Sequence, residues 1–196
     1  MLRVRFTVVC LLSFLLMLPA ARADMAEALA AIKKQKFEIA YSLWLPLAED
    51  GNSSAQHNIA QLYRLGKGVP RSYKKAAEWY LKAAELWHAP SQYNLALLYE
   101  NGLGVAINYA EALYWYRKAA KLDYGVAQFN LAVMYSIGQG MKRNLVEAYK
   151  WYDIAADKGI DDAEKNRDLL AKQMTEAQIA EAREEAREWI EWRKKE

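Results

Sequence analysis

An all-α repeat stack is the fold class this sequence predicts, and three observations predict it. Tyr63, Tyr99 and Tyr135 recur every 36 residues, and Trp79-Tyr80, Trp115-Tyr116 and Trp151-Tyr152 keep the same period. So do Asn58, Asn94, Asn130 and Asn166. Gly66-x-Gly68, Gly102-x-Gly104 and Gly138-x-Gly140 punctuate each unit at one place. A fixed period of roughly 20–50 residues marks an architecture in which each unit buries its apolar face on its neighbours. Such a stack suits binding better than catalysis.

Residues 1–23 read as a secretory signal peptide. Arg3 and Arg5 precede an apolar run from Phe6 to Leu18, and Pro19-Ala20-Ala21-Arg22-Ala23 places small residues before a cut after Ala23. The run is shorter than the roughly 20 residues a membrane span needs. Cleavage implies a periplasmic protein in a Gram-negative host, with no membrane insertion afterwards. The only cysteine, Cys10, leaves with this segment, so stability rests on packing. Arg3, Arg5 and Arg22 leave too, and the remaining basic residues balance the 24 acidic ones. A neutral chain has no bulk electrostatic footprint for nucleic acid.

Residues 24–52 read as amino-terminal helices of an incomplete leading unit, with Ala40, Trp44 and Ala48 standing 36 residues before Ala76, Tyr80 and Ala84. Three full units fill 53–160. In the second, Ser91, Leu95, Leu98 and Tyr99 form one helical face. Gly102 stops that helix and Gly104 adds a flexible point. Asn108 then caps a second helix with Glu111 in capping-box position, and Ala112, Trp115, Tyr116, Ala119 and Ala120 are its apolar stripe. The third unit repeats this from Asn144 and Glu147; the first uses Ser72 as cap and has Lys75 for the glutamate. Gly51 and Gly159 close second helices, but Trp87 and Asp123 stand in their place, where a left-handed conformation costs about 1 kcal/mol. Residues 161–196 restart a first helix with Ala163 and Asn166. They then depart into a long helix opened by Thr175 and Gln178, with Ile179, Ala182, Ala186, Trp189 and Ile190 along one face. Terminal units must cap a stack, so this is expected to be a capping helix; a helix binding a partner or a second copy is the alternative.

The pattern A-x-x-N-[LI]-A-x-[LM]-Y-x-x-G-x-G-[VM] followed by A-x-x-W-Y-x-x-A-A resembles the Sel1-like repeat family, which is related to tetratricopeptide repeats. The resemblance implies an α/α solenoid, a right-handed superhelix of helix hairpins whose first helices line a concave groove. It also implies protein or peptide binding. Some relatives are linked to β-lactams, but those resemble cysteine-rich chains with a disulfide in each unit, and the chain after Ala23 has no cysteine.

Little else suggests chemistry. Each Gly-x-Gly follows a helix rather than a strand, so it reads as a turn and not a nucleotide loop. His57 and His88 are the only histidines and form no metal-ligand spacing. No cofactor and no catalytic residue is expected.

What varies between units is the candidate site. With the core face at 55, 59, 62, 63 and 66, positions 57, 61 and 64 lie opposite by the 100° rotation of a helix. They read His57, Gln61 and Arg64, then Tyr93, Leu97 and Glu100, then Phe129, Val133 and Ser136. Tyr93, Leu97, Phe129 and Val133 make an apolar surface with polar residues at one end. The amides Asn58, Asn94 and Asn130 beside it would bond the next hairpin or hold a bound peptide backbone. The expectation is an exported, non-catalytic scaffold for a protein or peptide in the cell envelope. An enzyme acting on peptidoglycan or β-lactams, or an oligomer built through the terminal helix, is the alternative.

Overall fold

The computed structural model describes residues 24–195, and the signal peptide expected at 1–23 lies outside them. The chain is an all-α repeat solenoid with no strand among the described residues. Its helices are α1 (24–33), α2 (Phe37–Glu49), α3 (Ser53–Leu65), α4 (Tyr73–Glu85), α5 (Ala89–Asn101), α6 (Tyr109–Lys121), α7 (Gly125–Ile137), α8 (Leu145–Asp157), α9 (Asp161–Ala171) and α10 (Glu176–Arg193). None of the described helices is long and apolar enough to cross a membrane. The fold divides into two compact units, one ending at Ala83 and the other beginning at Ala84.

In the first unit, Ala40, Trp44 and Ala48 of α2 are buried with Ala55, Ile59, Ala60 and Leu62 of α3. Small residues at the contact let the helix axes approach closely. The Tyr41 and Tyr63 hydroxyls meet at 2.9 Å, and burial with the neighbouring Tyr63 pushes Tyr41 up to about 12. Before α2, the short α1 contributes the buried Ala28 and Ala31.

In the second unit, α5 with α6 and α7 with α8 are hairpins. Tyr116 is fully buried, and Trp115, Trp151 and Tyr152 are nearly so, each worth about 3–5 kcal/mol on truncation to alanine. The expected caps are made: Asn108 accepts from the backbone N–H of Ala110 and Glu111, and Asn144 from that of Glu147. Glu147 also accepts from the Trp151 indole at 3.0 Å, so this cap residue serves the core as well. The capping box at Thr175 and Gln178 forms on both sides. Beyond it, α10 lies back on α8. Ala182 and Ala186 are fully buried, Trp189 meets Trp151 edge-on at 5.2 Å, and Arg183 Nε donates to the Tyr149 hydroxyl at 2.9 Å.

Two kinds of left-handed residue shape the turns. Trp87 and Asp123 adopt φ of 60° and 63°, like Gly51 and Gly159 at 90° and 73°. Trp87 does so with its side chain 65% exposed. The second glycine of the first and third Gly-x-Gly is more than the flexible point expected. A Cβ on Gly68 would stand 2.5 Å from the Phe37 carbonyl carbon, and one on Gly140 would stand 2.7 Å from the Tyr109 carbonyl oxygen. These glycines are where a turn presses on the start of the preceding hairpin's second helix.

Gly51→Ala and Gly159→Ala, where a Cβ meets open space, should each cost about 1 kcal/mol from backbone conformation alone. Gly68→Ala and Gly140→Ala should cost about 2–4 kcal/mol, since overpacking adds its own penalty. Urea denaturation of the four variants measures the difference.

Candidate functional site

The first helices carry the variable positions, and the structure uses part of that face for packing. In the first unit the His57 ring lies 5.4 Å from the Tyr80 ring, and the Gln61 amide donates to His57 Nε2 at 2.8 Å. His57 is buried, contrary to its expected place opposite the core. Burial pushes the Tyr80 hydroxyl up to about 12, against the pull of the neighbouring Arg64 guanidinium. Asn58 and Gln61 line a 200 Å³ cavity with Leu29, Phe37, Trp44 and Leu65.

The second unit repeats the arrangement with other chemistry. The Tyr93 ring lies 5.9 Å from that of Tyr116, and the Phe129 ring 5.6 Å from that of Tyr152. The Tyr116 hydroxyl donates to Glu100 Oε2 at 2.7 Å and accepts from the Asn130 amide at 3.3 Å. Burial first, and then the Glu100 carboxylate, raise Tyr116 far above the ordinary tyrosine range. Tyr93 is raised by burial, and Asn130 opposes that shift. Tyr152 is also raised by burial, with Ser136 opposing. So the rings at positions 57, 93 and 129 lie tilted against the second-helix tyrosine, while 64, 100 and 136 shift its acidity, Glu100 through a hydrogen bond. The physical reason is that a first helix in a hairpin contacts a second helix on its flank as well as the core at its centre. The expected face is therefore rotated partly inward.

Leu97 and Val133 remain half-buried on α5 and α7. Leu169 on α9 falls one period after Val133 and is 50% exposed. It extends the same row and was legible in the period, although the departure of the fourth unit hid it. The Asn94 amide donates to the Pro90 carbonyl of its own helix at 2.7 Å, not to the next hairpin. Asn130 does bridge, from α7 to Tyr116 of α6, but the bond that recurs between hairpins comes from a row that sequence reasoning missed, Gln56, Gln92 and Gln128. Their amides donate to the carbonyls of Ala48, Ala84 and Ala120 at 2.9, 2.9 and 3.2 Å. Their identical period was the available signal.

His88 stands at the start of α5 without a side-chain cap bond, its Nδ1 2.9 Å from Ser91 Oγ, and burial lowers its pKa. Ser91 is fully buried, so this pair is closed to a substrate.

The chain matches the model of the Sel1 repeat at residues 53–86, 89–124 and 125–160. Among solved structures it is similar to a Sel1 repeat protein from Oxalobacter formigenes. That match has 36% identity and a TM-score of 0.72 and covers 74% of this chain and 60% of that one. It is similar also to c5321, described as a protective antigen present in uropathogenic Escherichia coli strains displaying an SLR fold. There the identity is 25% and the TM-score 0.62, over 87% of this chain and 45% of that one. The cysteine-rich protein B of Helicobacter pylori shares the fold at 22% identity and a TM-score of 0.50, over 70% of this chain and 92% of that one. The chain thus spans less than two thirds of the first two proteins. No curated protein matches it.

Tyr116→Phe should cost about 1–3 kcal/mol by stranding the Glu100 carboxylate, and Glu100→Leu in the same chain should recover much of it. A double-mutant cycle by denaturation reads the coupling. The Tyr80 hydroxyl is raised in the folded state from 10.0 to about 12. Its stabilising contribution is therefore complete below about pH 10 and disappears as pH rises through about 12. Tyr80→Phe should lose less stability across that window, followed by alkaline unfolding.

Proposed function

Because the chain belongs to the Sel1 repeat family, we propose that it is a non-catalytic scaffold that binds a protein or peptide partner through its first helices. The observation that carries this reading is the row Leu97, Val133 and Leu169 at one position of α5, α7 and α9. Neighbouring variable residues are taken up by the buried tyrosines. These three keep apolar surface exposed or half-exposed at equivalent positions.

Tyr93, Phe129, Glu100, Asn94 and Asn130 flank the row and set its shape. The Tyr93 and Phe129 rings lie tilted against Tyr116 and Tyr152, and Glu100 and Asn130 hold the Tyr116 hydroxyl between them. In the first unit, His57 and Arg64 act in the same supporting way, while Asn58 and Gln61 offer amides at the mouth of a small cavity.

We place this activity in the periplasm. The support is the three-part pattern of residues 1–23, which lies outside the described residues. The near-equal basic and acidic content after Ala23 favours a partner recognised by shape and apolar contact over a polyanion.

The test is a Leu97→Asp, Val133→Asp double variant, which leaves the Phe129–Tyr152 stack intact. Crosslinking in envelope extract should join the wild type to a discrete partner and lose that product in the double variant, with the thermal melt shifted by only a few degrees. The same product from both proteins would sink the proposal.

A further inference from the structure

A second site lies on the other helices of the second unit. A solvent-open cleft of about 720 Å³ runs between α6 and α10 over α8. Small-molecule sites typically enclose about 300–1,000 Å³. One wall carries Arg117 and Lys121, and the other Glu185 and Glu188. Trp151 and Trp189 form an edge-on aromatic corner between them, with ring centroids 5.2 Å apart.

The charges inside the cleft are unevenly satisfied. Lys150 on the floor bonds both Glu147 and Glu185, at 2.8 and 2.7 Å. Burial alone would lower its pKa, but those carboxylates hold it above the ordinary lysine range. That trio is closed on itself. Arg117 spends its guanidinium on a neutral partner, the Tyr135 hydroxyl, at 2.7 Å. Among the described residues Lys121 and Glu188 have no ion pair. Both side chains are exposed. The cleft keeps an uncompensated positive wall apart from an uncompensated negative one, with aromatic surface between them.

We propose that this cleft binds a zwitterionic ligand, a short peptide with free amino and carboxyl ends. The carboxylate lies on Arg117 and Lys121, where charge-assisted bonds are strongest. The ammonium lies at the Glu188 wall, beside the Trp189 ring that can hold a cation by its face. The volume accommodates more than one amino acid, which favours a peptide of a few residues over a single one. This site is independent of the Leu97 row: its walls are α6 and α10, and it requires the terminal helix.

Calorimetric titration with trialanine, N-acetyl-trialanine and trialanine amide tests it. Trialanine should bind, and blocking either end should weaken binding about tenfold or more, the loss of one charge-assisted pair. Lys121→Gln should reduce the preference for the free carboxylate that Arg117 shares, and Glu188→Gln should abolish that for the free amine. Both side chains are exposed, so melting temperatures should be unchanged. Equal binding of free and blocked peptides would overturn the proposal. So would the absence of saturable heat up to about 10 mM, or variants that keep both preferences.

Discussion

The turn after each second helix is the constraint on which the repeat depends. A helix ends with carbonyls that have no partner in the helix itself, and here the chain must reverse at once. One left-handed residue does this, at Gly51, Trp87, Asp123 and Gly159. It lets the following N–H reach back five residues, as from Asn52 to Leu47, Tyr124 to Ala119 and Ile160 to Ala155. A glutamine one turn into the next helix then closes a further carbonyl, at Ala48, Ala84 and Ala120. The turn and the clamp together hold first helix against preceding second helix. The fully buried alanines can approach only because that geometry is fixed.

Trp87 and Asp123 show two ways of bearing a left-handed conformation without glycine. Asp123 recovers interactions: it accepts from Gln128 at 3.1 Å and pairs with Lys158 at 2.5 Å. Trp87 lies mostly in solvent, with the Lys118 ammonium 4.7 Å from its ring. An exposed cation–π contact contributes about 0.5–1 kcal/mol, close to the cost of the conformation.

The buried tyrosines make the variable face serve two ends. Tyr80, Tyr116 and Tyr152 each place a hydroxyl at the first helix, and a buried hydroxyl needs a partner. Glu100 meets it for Tyr116 with a 2.7 Å bond, whereas Arg64 and Ser136 act only on the acidity of Tyr80 and Tyr152, opposing the rise that burial causes. Variation at these positions therefore reflects compensation inside each hairpin. Leu97, Val133 and Leu169 face no such hydroxyl, and they are the positions proposed for recognition. This distinction was not legible in the sequence, because spacing places a residue on a face but not the width of the neighbour it meets. His57 illustrates it: a 100° rotation sets it opposite the core, yet the flank of α4 lies there.

The amino-acid sequence by itself determined the repeat length, the helix type, the residues that cap the second helices and the glycines that stop the first ones. Glycine, asparagine and alanine act there through local sterics and local hydrogen bonds. It determined the packing role of the Trp-Tyr pairs for the same reason, since periodicity alone assigns a face. Only the tertiary structure decided which residues act across helices: the glutamine clamp, the inward turn of His57, Tyr93 and Phe129, and the pressing of Gly68 and Gly140 on a preceding helix. It also decided that α10 folds back on α8 and brings Glu188 opposite Lys121 across a cleft. Those pairings join residues far apart in the chain, and their distances depend on helix packing that no local propensity specifies.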